Sequence, residues 1–227
     1  LLDEPSAHEA LTSYDAVLVG GAATPRPVLE RALAAGVRAV TTYGMSETCG
    51  GCVYDGRPLD GVRARTDDSG RVLLGGPVVA RGYRGRPGLT RVVFPRSGGL
   101  REFRTDDLGE VRPDGLLWLS GRADDVLVTG GLKVAPAAVE EALAALPGVR
   151  ECIVVGVPDA EWGQLVTAVV VAADPLRPPQ LEDLRAPVLR TMGAEAVPRR
   201  LVVVDALPLR GPGKPDRVAA ARLAGAP

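Results

Sequence analysis

Gly121-Arg122-Ala123-Asp124-Asp125-Val126-Leu127-Val128-Thr129-Gly130-Gly131-Leu132-Lys133-Val134 lies just past the middle of the 227-residue chain and divides two kinds of sequence. Two adjacent acids after an arginine, then an apolar triplet running into Gly-Gly, describe an exposed turn, a short buried strand and a tight turn with positive backbone angles. That order suits a hinge, although an ordinary loop and hairpin would read the same way in isolation. Upstream lie short strands and turns; downstream the pattern is that of a compact α+β unit.

Upstream, residues 15–20 read as a buried strand. The turn Gly21-Ala22-Ala23-Thr24-Pro25 caps a helix, with Thr24 at the N-cap and Pro25 at the first helical position. The helix spans 26–35 and ends at Gly36, and 38–42 form a second strand. In such a strand–helix–strand unit the loops 20–23 and 43–52 leave from the carboxyl ends of parallel strands, the edge where open α/β sheets bind ligands. Gly20-Gly21 as a plain turn stays open beside that reading. From 53 to 119, turn signals such as Asp68-Ser69-Gly70 and Pro113-Asp114-Gly115 split short alternating strands, clearest at 71–74 and 116–120. This predicts an antiparallel β-subdomain, in which Phe103-Arg104-Thr105-Asp106-Asp107-Leu108-Gly109 sets two acids, read as a solvated turn, at the mouth of a strand.

Downstream, 136–146 forms an amphipathic helix with Val139, Leu143 and Leu146 on one face. Apolar strands follow at 149–157 and 165–172, then a stiff Pro-rich linker at 174–179. A helix at 181–190, a strand at 201–204 and the loop Gly211-Pro212-Gly213-Lys214 precede a short terminal helix.

A formal net charge of −1 removes the electrostatic case for nucleic acid or an anionic membrane as partner. No apolar run approaches the roughly 18 residues that span a bilayer, and no signal peptide opens the chain, so a cytoplasmic protein is expected. The chain starts at Leu1 and runs almost at once into a strand, which reads as a piece of a longer protein. Cys49-Gly-Gly-Cys52 has metal or redox spacing but lacks two further ligands, and the one histidine, His8, falls in a predicted frayed end. Lys133 and Lys214 are the only lysines.

Four separated motifs in one order resemble the adenylate-forming superfamily of acyl-CoA synthetases, peptide-synthetase adenylation domains and luciferases. They are Gly20-Gly21-Ala22; Tyr43-Gly44-Met45-Ser46-Glu47; Thr105-Asp106-Asp107 with Gly121-Arg122-Ala123-Asp124-Asp125; and Gly211-Pro212-Gly213-Lys214. The resemblance implies an α/β fold, with residues 1–121 the end of a large adenylating domain including its β-subdomain. Residues 122–227 would be a small, mobile α+β C-terminal domain. It implies a carboxylate attacking ATP to give acyl-adenylate and pyrophosphate, with coenzyme A then displacing AMP.

In that resemblance Lys214 is the adenylation lysine, suited to the task because a long side chain delivers a point charge to the developing phosphorane. Glu47 is the Mg²⁺ ligand, and Ser46 supplies the hydroxyl near the phosphate where Thr is common. Tyr43, with Gly44 beside it in the motif, packs against adenine, and Gly20, Gly21 and Ala22 let backbone approach the base. Asp107 takes both ribose hydroxyls, since a carboxylate accepts two hydrogen bonds at once, and Arg122 is the second ribose contact. Asp124 is the hinge residue about which Lys214 is exchanged for the Gly130-Gly131 loop, which would line the pantetheine tunnel. Asp106 stands where Gly is usual. No Ser/Thr/Gly-rich loop ending in Pro-Lys occurs in the 227 residues, so adenylation by this stretch alone is not expected.

The run from Thr48 to Val62, Phe103 to Gly109 and Thr129-Gly130-Gly131 resemble the short actinobacterial o-succinylbenzoate–CoA ligases of menaquinone synthesis. Gly50-Gly51 would leave room for a bulky aromatic acid or simply form a turn. Arg57 and Arg63 are candidates for its second carboxylate. The alternatives are an adenylation domain serving a carrier protein and a non-catalytic nucleotide- or CoA-binding remnant. Absence of a carrier domain or phosphopantetheine site favours free coenzyme A, and homo-oligomerisation stays open.

Overall fold

The structure, a computed structural model, describes residues 1–211 and 213–225. Pro212, one residue of the Gly211–Lys214 motif, lies outside the described residues. The chain divides into two compact units, residues 1–24 and 28–123 in the first and residues 25–27 with 124–227 in the second.

The first unit opens with α1 (Pro5–Ser13), β1 (Val17–Gly20), α2 (Arg26–Ala34), β2 (Ala39–Met45), β3 (Gly50–Tyr54) and β4 (Arg57–Pro58). These strands form one sheet in the order β1-β2-β3-β4, with β1 parallel to β2 and the other pairs antiparallel. The remainder is β5 (Arg63–Thr66), β6 (Arg71–Gly75), α3 (Pro87–Val93), β7 (Arg96–Ser97), β8 (Leu100–Val111) and β9 (Leu117–Arg122). Its antiparallel sheet runs β5-β6-β8-β7, and β9 also pairs with β8. Cys52, Val53, Val72, Leu74 and Leu117 meet in the core that joins these strands.

Several sequence expectations are corrected here. His8 sits in α1 rather than in a frayed end, with Nε2 3.0 Å from the Ala35 carbonyl. α1 carries no buried residue, so its short polar sequence has no apolar period to announce it. β1 is an edge strand with Leu18 61% exposed, not a buried strand. α2 begins at Arg26, one residue later than Pro25 predicts, and ends at Ala34. β2 runs on to Met45, so the loop read as 43–52 shrinks to a 3-10 turn, Ser46–Thr48, and the αL residue Cys49. The all-β segment contains the helix α3, opened by Pro87 in its first turn. Asp106 and Asp107 lie inside the 12-residue strand β8 rather than in a turn.

The second unit holds β10 (Leu127–Thr129), β11 (Leu132–Val134), α4 (Pro136–Ala144), β12 (Val149–Asp159), β13 (Gly163–Ala172), α5 (Leu181–Thr191), β14 (Arg200–Val203), β15 (Leu209–Arg210), β16 (Lys214–Pro215) and α6 (Arg217–Leu223). β11-β10-β13-β12 form its sheet, with β14 parallel to β13. Both faces are covered. Val154, Val166, Ala168 and Val170 pack with Val139 and Leu143 of α4 and Leu184 and Val188 of α5. Ile153, Val155, Val157 and Val169 pack with Ala220 of α6 and Ala224. Two covered faces explain why β12 and β13 read as unbroken apolar runs instead of alternating ones. The predicted helix 136–146 stops at Ala144, two residues short, in a turn closed by Leu146 N to Leu143 O at 3.0 Å.

One polar cluster is built into this unit. The Arg217 guanidinium spans both oxygens of Glu140 (Nη1–Oε1 2.5 Å, Nη2–Oε2 3.0 Å), and Glu140 also accepts from Val154 N at 2.7 Å. Glu140→Ala is expected to destabilise the unit by about 2–3 kcal/mol. That is less than the ~3–5 kcal/mol for breaking a fully buried pair, because the Glu140 and Arg217 side chains keep 20% and 26% exposure. Urea unfolding followed by the fluorescence of Trp162, the unit's one tryptophan, measures it. An unchanged midpoint would contradict the assignment.

Candidate functional site

In the first unit the site is built where β2 ends. Gly20 and Thr42 are register partners on β1 and β2, and a Cβ on Gly20 would lie 2.1 Å from Thr42 Oγ1. Gly44 is tighter still, since its Cβ would lie 2.0 Å from the Gly50 carbonyl oxygen on β3. These two glycines allow strands to approach each other. Gly21, at φ +85°, has open space around it and serves the turn. Ala22 follows it, exposed.

The close approach of β2 and β3 aims two groups in sequence, Tyr43 and Glu47. The Tyr43 hydroxyl donates to Asp107 Oδ2 at 2.6 Å. Burial, then the neighbouring Asp107 carboxylate, pushes this phenol far above the ordinary tyrosine range, so it stays a protonated donor. Asp107 Oδ1 meets Arg122 Nη1 at 3.3 Å, the two residues being register partners on β8 and β9. The Asp107 amide donates to Thr105 Oγ1 (3.0 Å), whose hydroxyl donates to the Val72 carbonyl (2.9 Å), so the strand beneath the carboxylate is fixed. Asp106 takes Arg71 at 2.5 Å and lies 3.7 Å from the same Arg122 guanidinium.

Ser46 opens the 3-10 turn and is exposed. The buried Thr48 shapes that turn, its hydroxyl accepting from Met45 N (3.0 Å) and donating to the Gly50 carbonyl (2.8 Å). Glu47 Oε1 accepts from the Tyr83 hydroxyl at 2.7 Å, and its carbonyl accepts from Ala80 N at 2.8 Å. Tyr83 is itself held edge-on by Phe94, with ring centroids 5.3 Å apart. Burial and the bond to Glu47 raise its phenol to about 12. Glu47 Oε2 makes no hydrogen bond among the described residues. One half-buried carboxylate with an oxygen to spare fits Mg²⁺, which takes one or two protein carboxylates and keeps its waters. Among the described residues no group of three metal-binding side chains exists, so a cage for zinc is not built here. Cys52 is in the core and Cys49 on the surface, both as free thiols.

In the second unit Gly130 and Gly131, at φ +56° and +79°, form the two-residue turn between β10 and β11. Two positive φ angles in succession are what a tight hairpin of this twist requires. Gly130 N donates to Trp162 O at 2.9 Å, and the Trp162 ring lies where a Cβ on Gly130 would come within 3.2 Å. Arg199 stacks on that ring at 3.6 Å. Lys214 stands exposed on β16, its backbone paired with Arg210, and its side chain makes no hydrogen bond or ion pair among the described residues. Asp124 is exposed in the turn after β9. Arg57 and Arg63 are exposed on β4 and β5. Within their units, then, the structure joins Tyr43, Asp107 and Arg122, and gives Glu47 a partner, Tyr83, that sequence reading missed. Locally, only the turn-forming glycines on either side of it, Gly82 and Gly85, mark that position.

Residues 138–214 match the AMP-binding enzyme C-terminal domain family. A probable 2-succinylbenzoate–CoA ligase of Mycobacterium tuberculosis is 50% identical over 223 residues, covering 97% of this chain and 57% of that protein. Among solved structures, an amide bond synthetase from Marinactinospora thermotolerans superposes with a TM-score of 0.81 at 32% identity, over 96% of this chain and 51% of that one. An o-succinylbenzoate–CoA synthetase from Bacillus subtilis, in complex with its acyl-adenylate intermediate, gives 0.78 at 26% identity, over 95% and 48%. The chain thus spans about half the length of the proteins it matches. Residues 138–214 thus form an AMP-binding enzyme C-terminal domain, and nearly the whole length of the chain is similar to these ligases and synthetases.

Proposed function

We propose that the protein of which this chain forms part is an AMP-forming acid–CoA ligase. The observation that carries the reading is the Tyr43–Asp107–Arg122 cluster with Glu47 four residues along the same chain segment. On this reading Asp107, bonded to Tyr43 near the end of β2, takes a diol, and Glu47, just past that end, takes the metal. Asp107 spends one contact on each oxygen, and a carboxylate has about four lone-pair sites, so capacity remains for the two ribose hydroxyls of ATP. Arg122 holds that carboxylate and offers the second ribose contact, while the Tyr43 ring flanks the base. Gly20, Gly21, Ala22 and Gly44 shape the backbone beside it.

Glu47 would hold Mg²⁺, which when bound offsets the charge of the ATP phosphates, with the Ser46 hydroxyl near the phosphate. Lys214 brings positive charge to the phosphorus as the acid's oxygen attacks and pyrophosphate leaves. In the second step the thiolate of coenzyme A attacks the acyl carbonyl and AMP departs, with Gly130 and Gly131 lining the path of the pantetheine arm. Asp124 is the pivot between the two steps, at the boundary between domains 1–121 and 122–227. We place the protein in the cytoplasm, where no membrane-spanning helix is called for; among the described residues none is long and apolar enough to cross a membrane.

The acid is o-succinylbenzoate and the setting menaquinone synthesis, a reading supported by the 50% identity to the mycobacterial ligase. Arg57 or Arg63 would meet its second carboxylate. In the full-length protein with ATP and Mg²⁺, o-succinylbenzoate should drive pyrophosphate release well above benzoate or fatty acids, and AMP release should then require coenzyme A. A fatty acid preferred over o-succinylbenzoate would sink the substrate assignment. Likeness to an amide bond synthetase supports a second reading in which an amine takes the acyl group. Amide in place of thioester as the product would establish that one.

A further inference from the structure

Arg217, the first residue of α6, lies three residues beyond Lys214 and uses four of its five N–H groups. Its Nε donates to Asp125 Oδ2 at 2.9 Å, Nη1 to Glu140 Oε1 (2.5 Å) and to the Val154 carbonyl (2.8 Å), and Nη2 to Glu140 Oε2 (3.0 Å). Asp125 immediately follows Asp124, whereas Glu140 is on α4 and Val154 on β12. One side chain therefore ties the turn after β9, a helix and a strand to the start of α6.

The same residue sits at the foot of the lysine hairpin. Asp216 N donates to Pro208 O at 2.8 Å, closing β15 and β16, and the Asp216 carboxylate caps α6 by accepting from Val218 N and Ala219 N at 3.1 Å. An open cleft of about 340 Å³ lies against Arg217, lined by Asp124, Asp125, Leu127 and Val218 among others.

We propose that Arg217 is a positioning residue for Lys214: by gripping Asp125, Glu140 and Val154 together, it fixes the lysine hairpin to the chain segment next to the pivot. This rests on the reading of Lys214 as the adenylating group. The hairpin and the pivot segment then move as one piece, and Lys214 keeps its place relative to the residue about which the unit turns. A guanidinium is suited to this because its planar fork meets carboxylates on two sides, whereas an ammonium is a single point charge.

Two variants separate the grip from the fold. Arg217→Lys keeps the charge and loses the fork; Asp125→Asn leaves the Glu140 and Val154 bonds in place and weakens only the pivot contact. In the 227-residue chain, amide hydrogen exchange at Asp216 and Ala220 should quicken about tenfold in Arg217→Lys and about threefold in Asp125→Asn. Exchange of 166–170 in the sheet should stay as in the wild type in Asp125→Asn, and in Arg217→Lys should quicken less than exchange at Asp216. In the full-length protein both variants should lower kcat for pyrophosphate release at least five times more than kcat for thioester formation from supplied acyl-adenylate, with KM for ATP changed less than threefold. Unchanged exchange at Asp216, or equal losses in both half-reactions, overturns the proposal. A wild-type protein without adenylation towards any acid overturns the functional reading instead, and the exchange comparison then decides the anchor by itself.

Discussion

Replacing Lys214 by alanine is expected to lower the rate of acyl-adenylate formation by about 10²–10³-fold, the loss seen when one preorganised charge-stabilising donor is removed from a transition state. Stability should hardly move, by about 0.5 kcal/mol or less, as for surface substitutions away from structural contacts. The reason is local: the Lys214 side chain is exposed and has no partner among the described residues, so its removal leaves no buried group unsatisfied. Thioester formation from supplied acyl-adenylate should persist within a fewfold, because in the proposed mechanism the lysine acts on the α-phosphate and not on the acyl carbonyl. Lys214→Arg should recover part of the first step, keeping the charge but changing its shape. Stopped-flow pyrophosphate release beside a single-turnover thioester assay reads both steps. Equal collapse of the two would mean that Lys214 is not specific to adenylation.

The parts of this molecule that were legible in its sequence are those written in short range. Gly130-Gly131 declared a tight turn, and the turn is there with two positive φ angles. The apolar runs of β12 and β13 declared strands, and helices cover both faces of the sheet they form. What stayed hidden depends on pairs remote in the chain. Tyr83 reaches Glu47 across 36 residues, and Arg217 reaches Asp125 across 92 and Glu140 across 77. No local pattern encodes such meetings. α3 was hidden for a different reason: seven residues carrying no buried side chain give periodicity nothing to act on. β1 reads as buried because Val-Leu-Val is what either a central or an edge strand requires, and burial is decided by neighbours, of which this stretch of chain supplies only β2.

Gly44→Ala is expected to be the most damaging of the glycine substitutions at the site, at about 3 kcal/mol, the upper end of the usual cost of overpacking. The added Cβ would meet the Gly50 carbonyl oxygen at 2.0 Å, its carbon at 2.7 Å and Gly51 Cα at 2.8 Å. These are backbone atoms, so no side-chain rotation relieves the contact and β2 must part from β3. Because Tyr43 precedes Gly44 and Glu47 follows it by three residues, the same displacement breaks the geometry of both functional groups. The Tyr43–Asp107 bond at 2.6 Å should lengthen, and KM for ATP should rise along with the loss of stability. Gly21→Ala is the control. It carries only the strain of a left-handed backbone, about 1–2 kcal/mol, with no atom within 4 Å of the new methyl. Urea unfolding read by Trp118, the first unit's one tryptophan, compares the two. If Gly44→Ala proves as mild as Gly21→Ala, the close approach of β2 and β3 is not what aims Tyr43 and Glu47. The glycine in this motif would then serve the ligand directly rather than the strands that present it.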